Sequence, residues 1–99
     1  MTVEFYADVY KRYQTYVRNF SGNRIAKVAC GPNSVDYNWM EAMMKLVGRR
    51  MKGIGQHYYV RGTGNWTDKG SATNFDETEW FALMKNTHRV HELIEKNVE

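Results

Sequence analysis

The chain has 99 residues, with 42% hydrophobic and 25% charged residues and a net charge of +3. That composition excludes a disordered chain, and no apolar run approaches the roughly 18 residues of a membrane span or the core of a signal peptide. A single cysteine, Cys30, excludes an internal disulfide framework and a cysteine-based zinc site and fits a reducing compartment, while the positive charge permits a polyanionic partner without requiring one. Seven Tyr, four Phe and three Trp are more aromatic residues than a fold this short can hide, so some are expected to line a binding surface or an interface.

The first element reads as a helix from about Val3 to Asn19, with Thr2 as its N-cap. Tyr6, Val9, Tyr10, Tyr13, Val17 and Phe20 recur at spacings of three and four and form one apolar stripe; Gly22 is expected to close the helix in the left-handed conformation. Ile25 to Cys30 is a short apolar run stopped by Gly31-Pro32-Asn33, the signature of a buried strand. A second helix is predicted from Tyr37 to Val47, capped by Ser34 or Asp36, with Trp39, Met40, Met43, Met44 and Val47 inward. Gly53 to Tyr59 reads as a second strand, and a Gly-rich loop follows to about Phe75. The third helix opens on Asp76 and Glu79, a capping-box variant, and carries a stripe of Trp80, Met84, Thr87, His91, Ile94 and Val98.

The order helix, strand, helix, strand, helix implies an α/β protein with a parallel sheet. The strands start about 29 residues apart, close to the roughly 31 per unit of an eightfold barrel. Two strands cannot cover three amphipathic helices, and a parallel sheet needs both faces covered. Residues 1–99 are therefore expected to be a fragment of a larger α/β protein.

Ligands of such folds bind at the C-terminal ends of the strands, which directs attention to Cys30–Asp36 and to His57 through the following loop. His57 and Tyr59 would share one face of the second strand, from which both can donate hydrogen bonds to a substrate or a carboxylate. Trp66, an indole in a Gly-rich loop, can stack on a sugar ring or a base. The competing structural readings are a hydrogen-bonded His57, tyrosines packed on neighbouring strands, a Trp66 covered by another loop, and Cys30 as a small buried hydrophobe. Gly53 and Gly55 permit a close approach and are no phosphate motif. His88 and His91 lack a third metal ligand, and no metal or cofactor is expected. Arg49, Arg50 and Lys52 lie on the opposite side from the expected site. Only Asp36 and Asp68 belong to the site-side loops, so no catalytic carboxylate pair is evident.

Several segments, in order, resemble the α-L-arabinofuranosidases of glycoside hydrolase family 51. They are Lys27 to Asn33, Asp36-Tyr37-Asn38-Trp39, His57-Tyr58-Tyr59, Lys69-Gly70-Ser71-Ala72-Thr73, Phe75-Asp76-Glu77, and the helix through Trp80 and Met84. The resemblance implies a piece of a (β/α)8 TIM barrel, from its fourth to its sixth helix. It also implies a retaining hydrolase that releases terminal α-L-arabinofuranosyl groups from arabinan, arabinoxylan and their oligosaccharides, without a metal cofactor. The family's acid/base and nucleophile glutamates match positions before Met1 and beyond Glu99, so this chain carries no catalytic residue and is not expected to be active alone. By the same resemblance, Tyr59 contacts the nucleophile, His57 shapes the pocket and Trp66 stands at its sugar-binding rim. A cytoplasmic, homo-oligomeric parent is implied, with neither nucleic acid nor membrane as partner. The alternative is a small basic, aromatic-rich module that binds nucleic acid or a protein; its aromatics lie mostly on helix stripes, away from the basic residues.

Overall fold

A computed structural model describes residues 1–98, which divide into two compact units, Met1–His57 and a second beginning at Tyr58. In the first unit the order is α1 (Val3–Tyr13), β1 (Val28–Asn33), α2 (Tyr37–Leu46) and β2 (Gly53–His57). The second holds a long loop, α3 (Glu77–Thr87) and α4 (Arg89–Val98).

Thr2 caps α1, its hydroxyl accepting the Phe5 N–H. The helix ends at Tyr13 and tightens into a 3-10 turn over Gln14–Tyr16, well short of Asn19. Its last carbonyls are taken by side chains: Thr15 donates to the Arg12 carbonyl, and Lys27 Nζ donates to both the backbone and side-chain oxygens of Gln14. Gly22 is left-handed as expected, but it closes a separate tight turn in which Phe20 bridges Asn23. The stripe is correspondingly shorter than its periodicity suggested. Val3 and Ala7 are buried and Tyr6 and Tyr10 pack beside them, whereas Tyr13, Val17 and Phe20 are exposed.

β1 and β2 pair in parallel, Val28 with Gly53, Ala29 with Ile54 and Cys30 with Gly55, then Asn33 with His57. Between the last two pairs β1 advances three residues and β2 two, so one extra residue bulges at the C-terminal end of β1. Gly31 makes this possible: a Cβ there would lie 2.2 Å from the Gly55 carbonyl oxygen. The Gln56 amide holds the bulge by donating to the Pro32 and Ser34 carbonyls at 3.4 and 3.0 Å, and the Ser34 N–H donates to the His57 carbonyl at 2.7 Å. These cross-strand bonds carry β1 through Gly31-Pro32-Asn33, three residues past its expected end.

Asp36 is the cap of α2, accepting the Trp39 N–H. α2 packs Met43 and Val47 onto Val3, Ala7, Ala29 and Met51, with Trp39 and Ile54 at the margin. Alternation along β1 buries Ala29 and turns Cys30 the other way, so Cys30 is exposed and not the buried hydrophobe expected from its type.

In the second unit the capping box is complete: the Asp76 carboxylate accepts the Glu79 N–H and the Glu79 carboxylate accepts the Asp76 N–H. The single long helix predicted here is two helices that part at His88. Leu93 is the side chain that is buried, while Trp80, Met84, Ile94 and Val98 are exposed. His91 also leaves the expected buried stripe and faces Glu95 at 3.2 Å from solvent. The two lists differ in size among the described residues, with seven hydrophobic residues buried and twenty large ones exposed. Periodicity finds an apolar face correctly but cannot supply what covers it.

Candidate functional site

The loop ends of β1 and β2 were the expected places for chemistry. Within β1, three residues before its end, the backbone of Cys30 is gripped by two aromatic side chains. Its N–H donates to the Tyr6 hydroxyl at 2.8 Å, and its carbonyl accepts the Trp39 indole N–H at 3.0 Å. Tyr6 and Trp39 also touch, with ring centroids 5.6 Å apart. Both backbone groups of Cys30 thus tie the strand to α1 and α2. Tyr10 stands beside Tyr6, and burial, then the neighbouring Tyr6, raises its phenol above the ordinary tyrosine value.

His57 closes β2, with its ring exposed and its carbonyl tied to Ser34 and Gln56. The strand ends there and not at Tyr59, so the period-two relation that placed both residues on one strand face does not extend to Tyr59.

In the second unit Tyr58 and Tyr59 part company. The Tyr58 hydroxyl donates to the Asn86 carbonyl at 2.6 Å, a structural bond to the end of α3. Tyr59 is 69% exposed and meets Trp66 at a ring-centroid distance of 6.1 Å and an interplanar angle of 68°. Trp66 is itself 64% exposed. The Arg61 guanidinium lies 4.1 Å from the Trp66 ring centroid, and Arg61 Nη1 donates to the Trp66 carbonyl. Such a cation–π contact at an exposed site contributes about 0.5–1 kcal/mol. Arg61 was not singled out by its sequence context, in which a cation five residues ahead of a loop indole is a weak signal.

Turns within the loop use its polar side chains. Thr63 donates to the Asp68 carbonyl, the Asp68 carboxylate accepts the Gly70 N–H, and the Ser71 hydroxyl accepts the Thr73 and Asn74 N–H groups. A groove of about 440 Å³ runs beside these turns, and its apolar lining includes Val60, Leu83 and the stacked pair Phe75 and Trp80, 5.9 Å apart. Both carboxylates of the site-side loops have backbone partners, Asp36 at the cap of α2 and Asp68 in its turn. Among the described residues no group of three or more His, Cys, Asp or Glu converges to hold a metal.

In the second unit this geometry presents exposed aromatic surface on a loop stabilised by hydrogen bonds. Across 97 residues the chain is 42% identical to a Bacteroides ovatus protein named intracellular exo-α-L-arabinofuranosidase, a match covering 98% of this chain. It also matches the crystal structure of the GH51 arabinofuranosidase from Xanthomonas axonopodis pv. citri, with a TM-score of 0.92 and 41% identity over 99% of the chain. Both relatives are arabinofuranosidases by name, and the chain is similar to a part of each. It spans 19% of the Bacteroides relative and 20% of the Xanthomonas chain, about one fifth of each. No family model matches it. Among the described residues no helix is long and apolar enough to cross a membrane.

Proposed function

We propose that residues 1–99 are part of the (β/α)8 catalytic domain of a retaining α-L-arabinofuranosidase that releases terminal arabinofuranosyl groups from arabinan, arabinoxylan and their oligosaccharides. The observation that carries this reading is the unbroken likeness, 42% identity over 98% of the chain, to a protein named for that activity. The parallel pairing of β1 with β2 around α2 supports a barrel segment, since that is the repeating unit of such a fold. The relative's name, intracellular, supports a cytoplasmic parent. Nothing in the comparisons favours the nucleic-acid-binding alternative, and the exposed basic residues Arg49, Arg50 and Lys52 sit before β2, far along the chain from the loop aromatics.

Retaining hydrolysis needs two carboxyl groups roughly 5–5.5 Å apart, one as acid/base and one as nucleophile. Asp36 and Asp68 each accept a backbone N–H in this chain, and the resemblance to family 51 implies that both catalytic glutamates lie in parts of the parent outside it. The segment's share is recognition and orientation. Tyr59 donates its phenol proton to the nucleophile carboxylate, which favours the ionised form that must attack the anomeric carbon. By the resemblance, His57 at the end of β2 helps shape the parent's pocket, and Trp66 offers a flat apolar surface to the furanose ring.

The test is a graft. These residues replace the matching segment of the Bacteroides relative, and hydrolysis of an aryl α-L-arabinofuranoside is measured for the graft and for the isolated chain. Turnover by the graft, loss of at least 100-fold in kcat on Tyr59→Phe, and none by the isolated chain are expected. A folded graft without turnover, or turnover by the isolated chain, would overturn the reading.

A further inference from the structure

We propose that Arg61 is a positioning residue that holds the Trp66 indole as a preformed stacking surface for the sugar, and so sets the affinity of this loop for arabinosides. The inference rests on the reading of Trp66 as a sugar-stacking residue and adds to it the group that makes the surface rigid. An exposed indole on a Gly-rich loop loses much of its stacking gain if the ring must be ordered at the moment of binding. Arg61 removes that cost by holding one residue at two points. Its guanidinium lies 4.1 Å from the ring centroid, and its Nη1 donates to the Trp66 carbonyl. The first contact fixes the ring and the second fixes the backbone from which the ring projects.

Nothing competes for the guanidinium, because no ion pair engages Arg61 among the described residues. The loop between the two residues is itself braced. Gly64 turns at a φ of +68°, its N–H donating to the Arg61 carbonyl, and Asn65 accepts both the N–H and the hydroxyl of Thr67. Tyr59 meets the same indole at 68°, so the ring is held by a cation and by a second aromatic while 64% of Trp66 stays open. A planar guanidinium can stack and donate in its own plane at once, which a lysine ammonium cannot do.

The test uses the full chain and its Arg61→Ala and Arg61→Lys variants, with α-1,5-arabinotriose as the titrant. The readout is the indole N–H resonance of Trp66, resolved from those of Trp39 and Trp80. In the unsubstituted chain, the Arg61 side-chain protons are expected to be shifted upfield by the indole ring current, and the Trp66 resonance to move on titration. Arg61→Ala should weaken binding at least five-fold and broaden the Trp66 resonance, with the Trp39 resonance unchanged. Arg61→Lys should restore less than half of that loss. Equal affinity in all three chains would overturn the role of Arg61 while leaving Trp66 as the sugar surface. A ring-current shift with no response of Trp66 to the trisaccharide would overturn the sugar-stacking reading and this inference with it. If Arg61→Ala disturbs the Trp39 and Trp80 resonances, Arg61→Lys against the unsubstituted chain decides the matter by the same affinity criterion.

Discussion

The two halves of this chain achieve order by different means. Up to His57 the structure depends on contacts between residues distant in sequence. Met43 and Val47 of α2 are buried against Ala7 of α1 and Ala29 of β1, and Cys30 is bonded to Tyr6, 24 residues earlier. Beyond His57 most bonds are local. The loop is a series of side-chain-to-backbone turns that span two to five residues, α3 is started by its own capping box, and Leu93 is the buried hydrophobic side chain among the described residues. A core averages over many contacts and tolerates the loss of a peripheral one, whereas a chain of local bonds is only as strong as each link.

Truncations at the two buried positions test that contrast most severely. Met43→Ala should cost about 4 kcal/mol, because the fully buried side chain leaves a cavity bounded by two helices and a strand that cannot easily close. Hydrogen exchange should show the loss across peptides from residues 1–57; an effect confined to α2 would break the picture of one shared core. Leu93→Ala should cost less, about 2 kcal/mol, because surroundings with few buried neighbours collapse onto the gap. Equal costs in urea denaturation would show that the second half has a core as demanding as the first.

Caps come next. Asp76→Ala removes one side of the capping box and should cost about 1 kcal/mol, seen as faster exchange of the first amides of α3. The same amides should stay protected in Met43→Ala if local bonding governs this half. Charge pairs have the smallest effect. The hydrogen bond from Lys96, then its charge, holds Glu92 below the ordinary glutamate range, with Arg89 also lowering it. A carboxylate lowered in the folded state stabilises α4 above its unfolded pKa, and that contribution disappears as the pH falls through the lower folded value. Glu92→Gln should therefore lower α4 helicity slightly at neutral pH and leave it unchanged in acid. A large neutral-pH loss, measured by carbonyl chemical shifts, would mean that this solvent-exposed pair matters more than screening allows.

Attention fell on His57, Tyr59 and Trp66 through the rule that ligands gather at the C-terminal ends of parallel strands, and the resemblance to family 51 supplied the roles proposed for them. The grip of Arg61 on Trp66 was not legible, because it depends on how a Gly-rich loop turns back on itself. The same division runs through the fold. Thr2, Asp36 and the Asp76–Glu79 pair could be read directly, since a cap bonds to an amide only a few residues away and the sequence contains both partners. The end of α1, the extension and bulge of β1, the exposed Cys30 and the break at His88 could not. Each was decided by a partner elsewhere in the chain or by the local accessibility of a face: Lys27 for the Gln14 carbonyl, Gly55 and Gln56 for Gly31 and Pro32, and open solvent beside His91. Sequence by itself determined what each segment prefers and which face is apolar; tertiary structure decided where each element stops and which of those faces is covered, because burial is a relation between surfaces and not a property of either one.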